Sequence, residues 1–133
     1  MMVHKAVSGF SQGQEEFLEL LYQLTTSGGV ARTGDLAEGL NTTLGTVTNL
    51  VKRLERKGLV VHQPYRGIIL TPKGKRIAAE IVERHQLVEH FLVNFLMIPS
   101  KRAHKYACRM EHVVDKEVVK AMASLLNSTQ RLK

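Results

Sequence analysis

The stretch TTLGTVTNLVKRLERKGLVVHQPYRGIILTPKGK, residues 42–75, constrains the fold more than any other part of the chain. Leu44, Val47, Leu50, Val51 and Leu54 recur at helical spacing, lining one side of a helix that the threonines before it can cap and Gly58 ends. Its opposite side shows Thr46, Thr48, Asn49, Lys52, Arg53 and Arg56. Two β-rich runs follow at once, Leu59 to His62 and Ile68 to Thr71, around a turn that contains Pro64 and Gly67 and puts Arg66 at its tip. Upstream, RTGDLAEGL offers Leu36, Ala37 and Leu40 as a short apolar face, so two short helices meet across a tight turn. A helix-turn-helix whose second member has a polar, basic outer face, followed by a hairpin, has the order of a winged-helix DNA-binding domain.

The charge distribution agrees with that order. The formal net charge is +7, and it is unevenly spread. From Lys52 to Arg84 nine basic residues stand against Glu55, Glu80 and Glu83, whereas residues 1–51 hold two bases and five acids. A cationic segment suits a polyanion, because neutralising phosphates releases their counterions, and double-stranded DNA is the expected partner. Charge alone would equally describe a solvated basic surface; its coincidence with the winged-helix order decides for DNA.

At 133 residues the chain is one compact domain, or a small domain with an extension, long enough to bury a core without staples. Its one cysteine, Cys108, cannot close an intrachain bridge, and no stretch reads as a signal peptide or membrane span. A reducing cytoplasm and no membrane partner are therefore expected. Residues 1 to about 12 have no clear period and read as a loose arm. EEFLELLYQL then sets Phe17, Leu18, Leu20, Leu21 and Leu24 at helical spacing, with Ser11 available as a cap and TTSGG as the stop. After Pro72, the run to Met97 reads as one helix of about 25 residues. Its stripe of Ile77, Ile81, Val88, Phe91, Leu92 and Phe95 is too long for so small a domain to cover alone, so pairing with a second copy is expected. Two further helices, about Ser100 to Val113 and Asp115 to Leu126, precede a frayed tail, STQRLK.

The chemistry concentrates in HKYACRMEH. His104, Cys108, Glu111 and His112 lie at i, i+4, i+7 and i+8, one face of a helix, on what should be its buried side. Buried ionisable groups must be paired or bound to a metal. His85 and Glu89 repeat the i, i+4 spacing one helix earlier, and Glu16 and Glu19 lie at i, i+3 on the edge of the first helix's apolar face. Any one such pair is more often a surface hydrogen bond, and a lone buried cysteine is usually a small hydrophobe. Taken together they favour a metal site. Imidazole, carboxylate and a single sulfur suit a divalent first-row transition ion rather than calcium or magnesium, and the four thiolates of a structural zinc site are absent.

With these residues in place, the chain resembles the diphtheria-toxin-repressor family, the metal-dependent repressors of iron and manganese uptake, over roughly residues 14–126. HQLVE from His85 and HKYACRMEHV from His104 carry the resemblance most specifically, supported by ERKGLV and YRGIILTPKGK. It implies a mostly α fold: a winged helix-turn-helix DNA-binding domain over residues 1–72, then an all-helical dimerisation and metal-binding domain over residues 73–133. The chain as read ends before the SH3-like domain of iron-type members, so the short form is expected. The resemblance implies one metal site at His85, Glu89 and His104 and another at Glu16, Cys108, Glu111 and His112. Iron-responsive members typically have methionine where this chain has Glu16, and manganese-responsive members have carboxylates there and in place of Cys108. The effector therefore stays open between Fe2+ and Mn2+. Glu19 matches a carboxylate ligand of the manganese branch and would join the His85 site or bridge both. DNA contacts are implied at Thr43, Gly45, Thr46, Thr48 and Asn49, with proline common in the family where Gly45 stands. Base readout would fall to Thr46, Thr48 and Asn49, and phosphate binding to Lys52, Arg53 and Arg66. The expected function is a cytoplasmic homodimeric repressor that, when loaded with metal, presents its recognition helices about 34 Å apart to a palindromic operator.

Two other readings compete. A metallohydrolase would need a general base, oxyanion donors or a nucleophile apart from the ligands; none stands out, and the basic winged helix would be unexplained, so the chain is read as no enzyme. A winged-helix regulator of an organic ligand or protein partner, with the His/Cys/Glu cluster as a hydrogen-bonded core, would need a roomy apolar pocket where this chain has a polar stripe.

Overall fold

The computed structural model describes residues 9–131. Most of the arm expected over residues 1–12, and residues 132–133, lie outside the described residues. The elements are α1 (Gln12–Thr26), α2 (Thr33–Gly39), α3 (Leu44–Arg56), β1 (Val60–Gln63), β2 (Gly67–Leu70), α4 (Pro72–Asn94), α5 (Ser100–Met110) and α6 (Lys116–Arg131). They divide into two compact units, Gln12–Glu80 and the residues from Ile81 onward, with the division inside α4.

In the first unit α1, α2, α3 and the hairpin bury Phe17, Leu18, Leu21, Leu36, Val47, Leu54, Leu59 and Ile68. Leu44 departs from the expected stripe: as the first residue of α3 it lies beyond the packed side and is 60% exposed. In the hairpin Val60 pairs with Leu70 and Gln63 with Gly67, leaving Pro64, Tyr65 and Arg66 as the loop. Both strands thus sit one residue from where the sequence put them. The hairpin is fastened next to its loop, where the Ile68 N–H donates to the Ala31 carbonyl at 2.8 Å. Gly67 is needed there twice: its φ is +97°, and a Cβ would run into that same Ala31 carbonyl oxygen. Thr71 closes the corner into α4. Its hydroxyl donates to the carbonyls of Gly58 (2.7 Å) and Leu59 (3.1 Å) and accepts from the Gly74 N–H (3.0 Å).

In the second unit α4, α5 and α6 enclose Val88, Leu92, Ala103, Ala107 and Met122, with Leu87, Phe91, Val93, Ile98 and Met110 packed at the edges. Ala103 and Ala107 are the residues by which α5 enters this cluster, both fully buried. Phe91 and Phe95 stack with ring centroids 5.2 Å apart. The long helix stops at Asn94, short of the expected Met97. The chain turns there through Met97 at φ +56°, a left-handed helix end made without the usual glycine, and the Ile98 N–H reaches back to the Leu92 carbonyl at 3.1 Å. Helix α5 also ends early: Glu111 is its C-cap and His112 lies past its end, so the four-residue stripe expected on one helix is split. The expected buried side is corrected too. Ala103 and Ala107 occupy it, the His104 side chain is 62% exposed, and Glu111 and His112 are fully buried in the turn that follows. Helix α6 runs to Arg131, through most of the tail read as frayed. Among the described residues no helix is long and apolar enough to cross a membrane.

Candidate metal centre and nucleic-acid interface

Helix α4 sets His85 and Glu89 one turn apart, and α5 does the same with His104 and Cys108. Because Ala103 and Ala107 pack into the core with Val88 and Leu92, the residues next to them on α5, His104 and Cys108, come to the rim of the α4–α5 seam. There His85 Nε2 lies 3.2 Å from His104 Nδ1 and 3.4 Å from Glu89 Oε2, while Glu89 Oε1 lies 3.4 Å from His104 Nδ1. The imidazoles meet edge to face, with centroids 4.9 Å apart. Cys108 Sγ is 3.8 Å from His104 Nε2. The other nitrogen of buried His85, Nδ1, faces Glu111 Oε2 at 3.2 Å, and Glu111 Oε1 stands 3.5 Å from His112 Nε2. Six of the eight expected ligands therefore form one connected set in the second unit. The remaining two lie on α1 of the first unit: Glu16 is exposed and accepts from Gln12 Nε2 at 3.0 Å, and Glu19, one turn on, is half-buried.

The donor set fits a divalent transition ion. Around a tetrahedral centre about 2.0–2.1 Å from nitrogen and oxygen ligands, neighbouring donors stand roughly 3.3–3.4 Å apart. The contacts among His85, His104 and Glu89 have that length. A carboxylate commonly stands beside the second nitrogen of a ligand imidazole, and Glu111 Oε2 lies 3.2 Å from His85 Nδ1.

The DNA-facing residues gather on α3 and the hairpin tip. Thr43 caps α3: its hydroxyl accepts from the Thr46 N–H at 3.2 Å and pairs with the Thr46 hydroxyl at 2.9 Å. Thr43, Gly45, Thr46, Thr48, Asn49, Lys52, Arg53 and Arg66 are all exposed. The Thr48 hydroxyl spends its hydrogen on the Leu44 carbonyl at 2.9 Å, so towards a base edge it can act only as an acceptor or through its methyl group. Glu55, which the sequence shows only as one acid among many bases, ties the hairpin to α3 by accepting from the His62 N–H at 3.4 Å. No sequence signal marks that link, because it spans the corner at Gly58.

Comparison with known proteins decides the family. The family descriptions "Iron dependent repressor, N-terminal DNA binding domain" and "Iron dependent repressor, metal binding and dimerisation domain" match residues 9–68 and 71–131. An uncharacterised helix-turn-helix-type transcriptional regulator of Methanocaldococcus jannaschii is 37% identical over 113 residues, 84% of this chain and 90% of that protein. The chain belongs to the iron-dependent repressor family. Within that family, the diphtheria toxin repressor of Corynebacterium glutamicum is 33% identical over 117 residues, 88% of this chain and 51% of that protein. The solved structure of the manganese regulator SloR, 27% identical, superposes with a TM-score of 0.76 over 95% of this chain and 55% of that one. The chain thus spans about half the length of these two relatives. The expected fold class holds: a winged helix followed by a helical half, the latter matching the family's metal-binding and dimerisation domain.

Proposed function

We propose that this member of the iron-dependent repressor family is a metal-dependent transcriptional repressor: a cytoplasmic homodimer, catalysing no reaction, that binds a palindromic operator in double-stranded DNA when loaded with Fe2+ or Mn2+ and controls metal-uptake genes. The observation that carries this reading is the convergence of His85, Glu89 and His104 at ligand-to-ligand distances in the half that matches the family's metal-binding domain. Residues 1–72 are the proposed DNA-binding domain and 73–133 the proposed dimerisation and metal-binding domain. Thr46, Thr48 and Asn49 would read bases; Lys52, Arg53 and Arg66 would hold phosphates, with Thr43 and Gly45 setting the start of the helix. His85, Glu89, His104, Cys108, Glu111 and His112 are the proposed ligands of the helical half. Glu16 and Glu19 join them on the strength of the family pattern and the preference of Fe2+ and Mn2+ for carboxylate oxygen.

Moving a DNA-competent state from about 1% to 99% needs a differential metal affinity on the order of 10⁴, about 5.5 kcal/mol, which a multi-ligand site can supply. The test is operator selection from a random double-stranded pool with Mn2+ or Fe2+ present, followed by mobility shifts of the selected sequence with and without chelator. A palindromic consensus that is shifted only with metal supports the proposal. Chelator-insensitive binding would favour a regulator of another ligand class.

A further inference from the structure

The first unit contains a cleft that neither the proposed DNA contacts nor the proposed metal ligands use. Its walls come from the last turns of α1, the outward side of β2 and the first turns of α4, all within Gln12–Glu80. The cavity measures about 770 Å³, inside the roughly 300–1,000 Å³ of sites that hold small organic molecules. We infer that it binds a small amphipathic organic anion, a carboxylate carried on an apolar body. The inference goes beyond the metal-dependent reading proposed above and does not rest on it.

Local structure produces this lining. In β2, Ile68 and Leu70 are buried, so Ile69 between them turns outward and is 37% exposed. On α4, Gly74 and Ala78 are buried at i and i+4; Lys75 and Ala79 each follow by one residue and share the adjoining face, next to Arg76. Ile69, Ala79 and the ring of half-buried Tyr22 supply apolar surface to the cleft. Lys75 and Arg76, both exposed, supply two positive charges. None of the described residues that line the cleft is acidic, and among the described residues no carboxylate pairs with either cation. The Thr25 hydroxyl, also in the lining, donates to the Leu21 carbonyl at 2.7 Å and is left to accept from a ligand. The arrangement suits an anionic head held by the guanidinium fork and the ammonium, with its apolar body laid on Ile69 and Ala79. A cationic ligand would be repelled, and a neutral one would leave both charges unused.

The probes are benzoate and octanoate, with acetate as a head without a body and benzyl alcohol as a body without a charge. Each is titrated into the isotope-labelled full-length chain with EDTA present, so that no carboxylate is held by a metal ion and the result is independent of metal dependence. Backbone amide shifts are followed by NMR. Benzoate or octanoate at millimolar concentration should give saturable shifts centred on Gly28, Gly29 and Ile69, which line the cleft, and acetate and benzyl alcohol should not. Lys75→Gln/Arg76→Gln removes the charges from two exposed positions and should weaken binding roughly tenfold or more, the loss expected for charge-assisted contacts. Ala79→Leu should abolish the shifts by filling the cleft, whereas Lys73→Ala, an exposed cation outside the lining, should bind as the wild type does. The absence of saturable shifts with both carboxylates would overturn the inference, as would shifts centred elsewhere or unchanged by the double substitution. If the double variant instead lowers the salt dependence of operator binding and the wild type takes up neither carboxylate, the two cations are phosphate contacts and the inference is overturned.

Discussion

Thr43→Ala isolates how the start of the recognition helix is held. In the structure the Thr43 hydroxyl satisfies the Thr46 N–H at 3.2 Å, and the first turn of α3 contains no acidic residue to interact with its other free N–H groups. The cap thus has no local substitute. Loss of a threonine cap costs about 1 kcal/mol, roughly a fivefold change in the folded-to-unfolded ratio and, for a chain of this size, a fall in Tm of about 4 °C. The accompanying hydroxyl pair with Thr46 is exposed and adds little. Thr43→Ser keeps the acceptor and should stay within a few tenths of a kcal/mol of the wild type. Gly45 supplies an internal counterweight: a Cβ there meets nothing nearer than the Thr43 hydroxyl, at 4.0 Å, so Gly45→Ala should return about 0.5–1 kcal/mol. Thermal unfolding of the three single variants and of the Thr43→Ala/Gly45→Ala double variant checks this. An unchanged Tm in Thr43→Ala, or an equal loss in Thr43→Ser, would refute the capping argument.

Gly74→Ala should destabilise by about 1–3 kcal/mol in denaturant titration, because the new Cβ would run into the Leu59 carbonyl oxygen, a backbone atom also bonded to Thr71, which cannot simply swing away. Lys52→Ala and Arg66→Ala should each lower the slope of log affinity against log salt by about one while weakening binding to all operator sequences alike; a change in preferred sequence instead would contradict their assignment to phosphates. At a fixed, subsaturating Mn2+ or Fe2+ concentration, operator binding should be weaker at pH 6 than at pH 8. Protons compete with the ion for imidazole and thiolate, so affinity falls as pH falls, and superimposable titrations at the two values would count against those ligands.

Much of this architecture was legible in the sequence, for identifiable reasons. The winged helix announces itself because hydrophobic period changes from helical to strand at Gly58 and back to helical at Pro72, and glycine and proline mark both changes. Helix ends were less legible where the chain turns without its usual signal: Met97 takes the left-handed conformation that a glycine would have advertised. Buried Gln14 was invisible for another reason. The first turn of a helix is normally solvated, and Gln14 is held by Lys57 Nζ at 3.3 Å, a partner far along the chain. The ligand residues could be picked out by spacing on their own helices, but how they group could not. That depends on how α4 and α5 meet, which brings His104 beside His85 and Glu89.

The central claim is a reciprocal coupling between metal and operator, and linkage offers its most direct test. The affinity of the homodimer for Mn2+ and for Fe2+ is measured by calorimetry or competition, first alone and then saturated with operator duplex. The account predicts that operator tightens metal binding by the same factor by which metal tightens operator binding, per ion linked. Equal metal affinity with and without DNA, beside unimpaired operator binding by the metal-free protein, would contradict it.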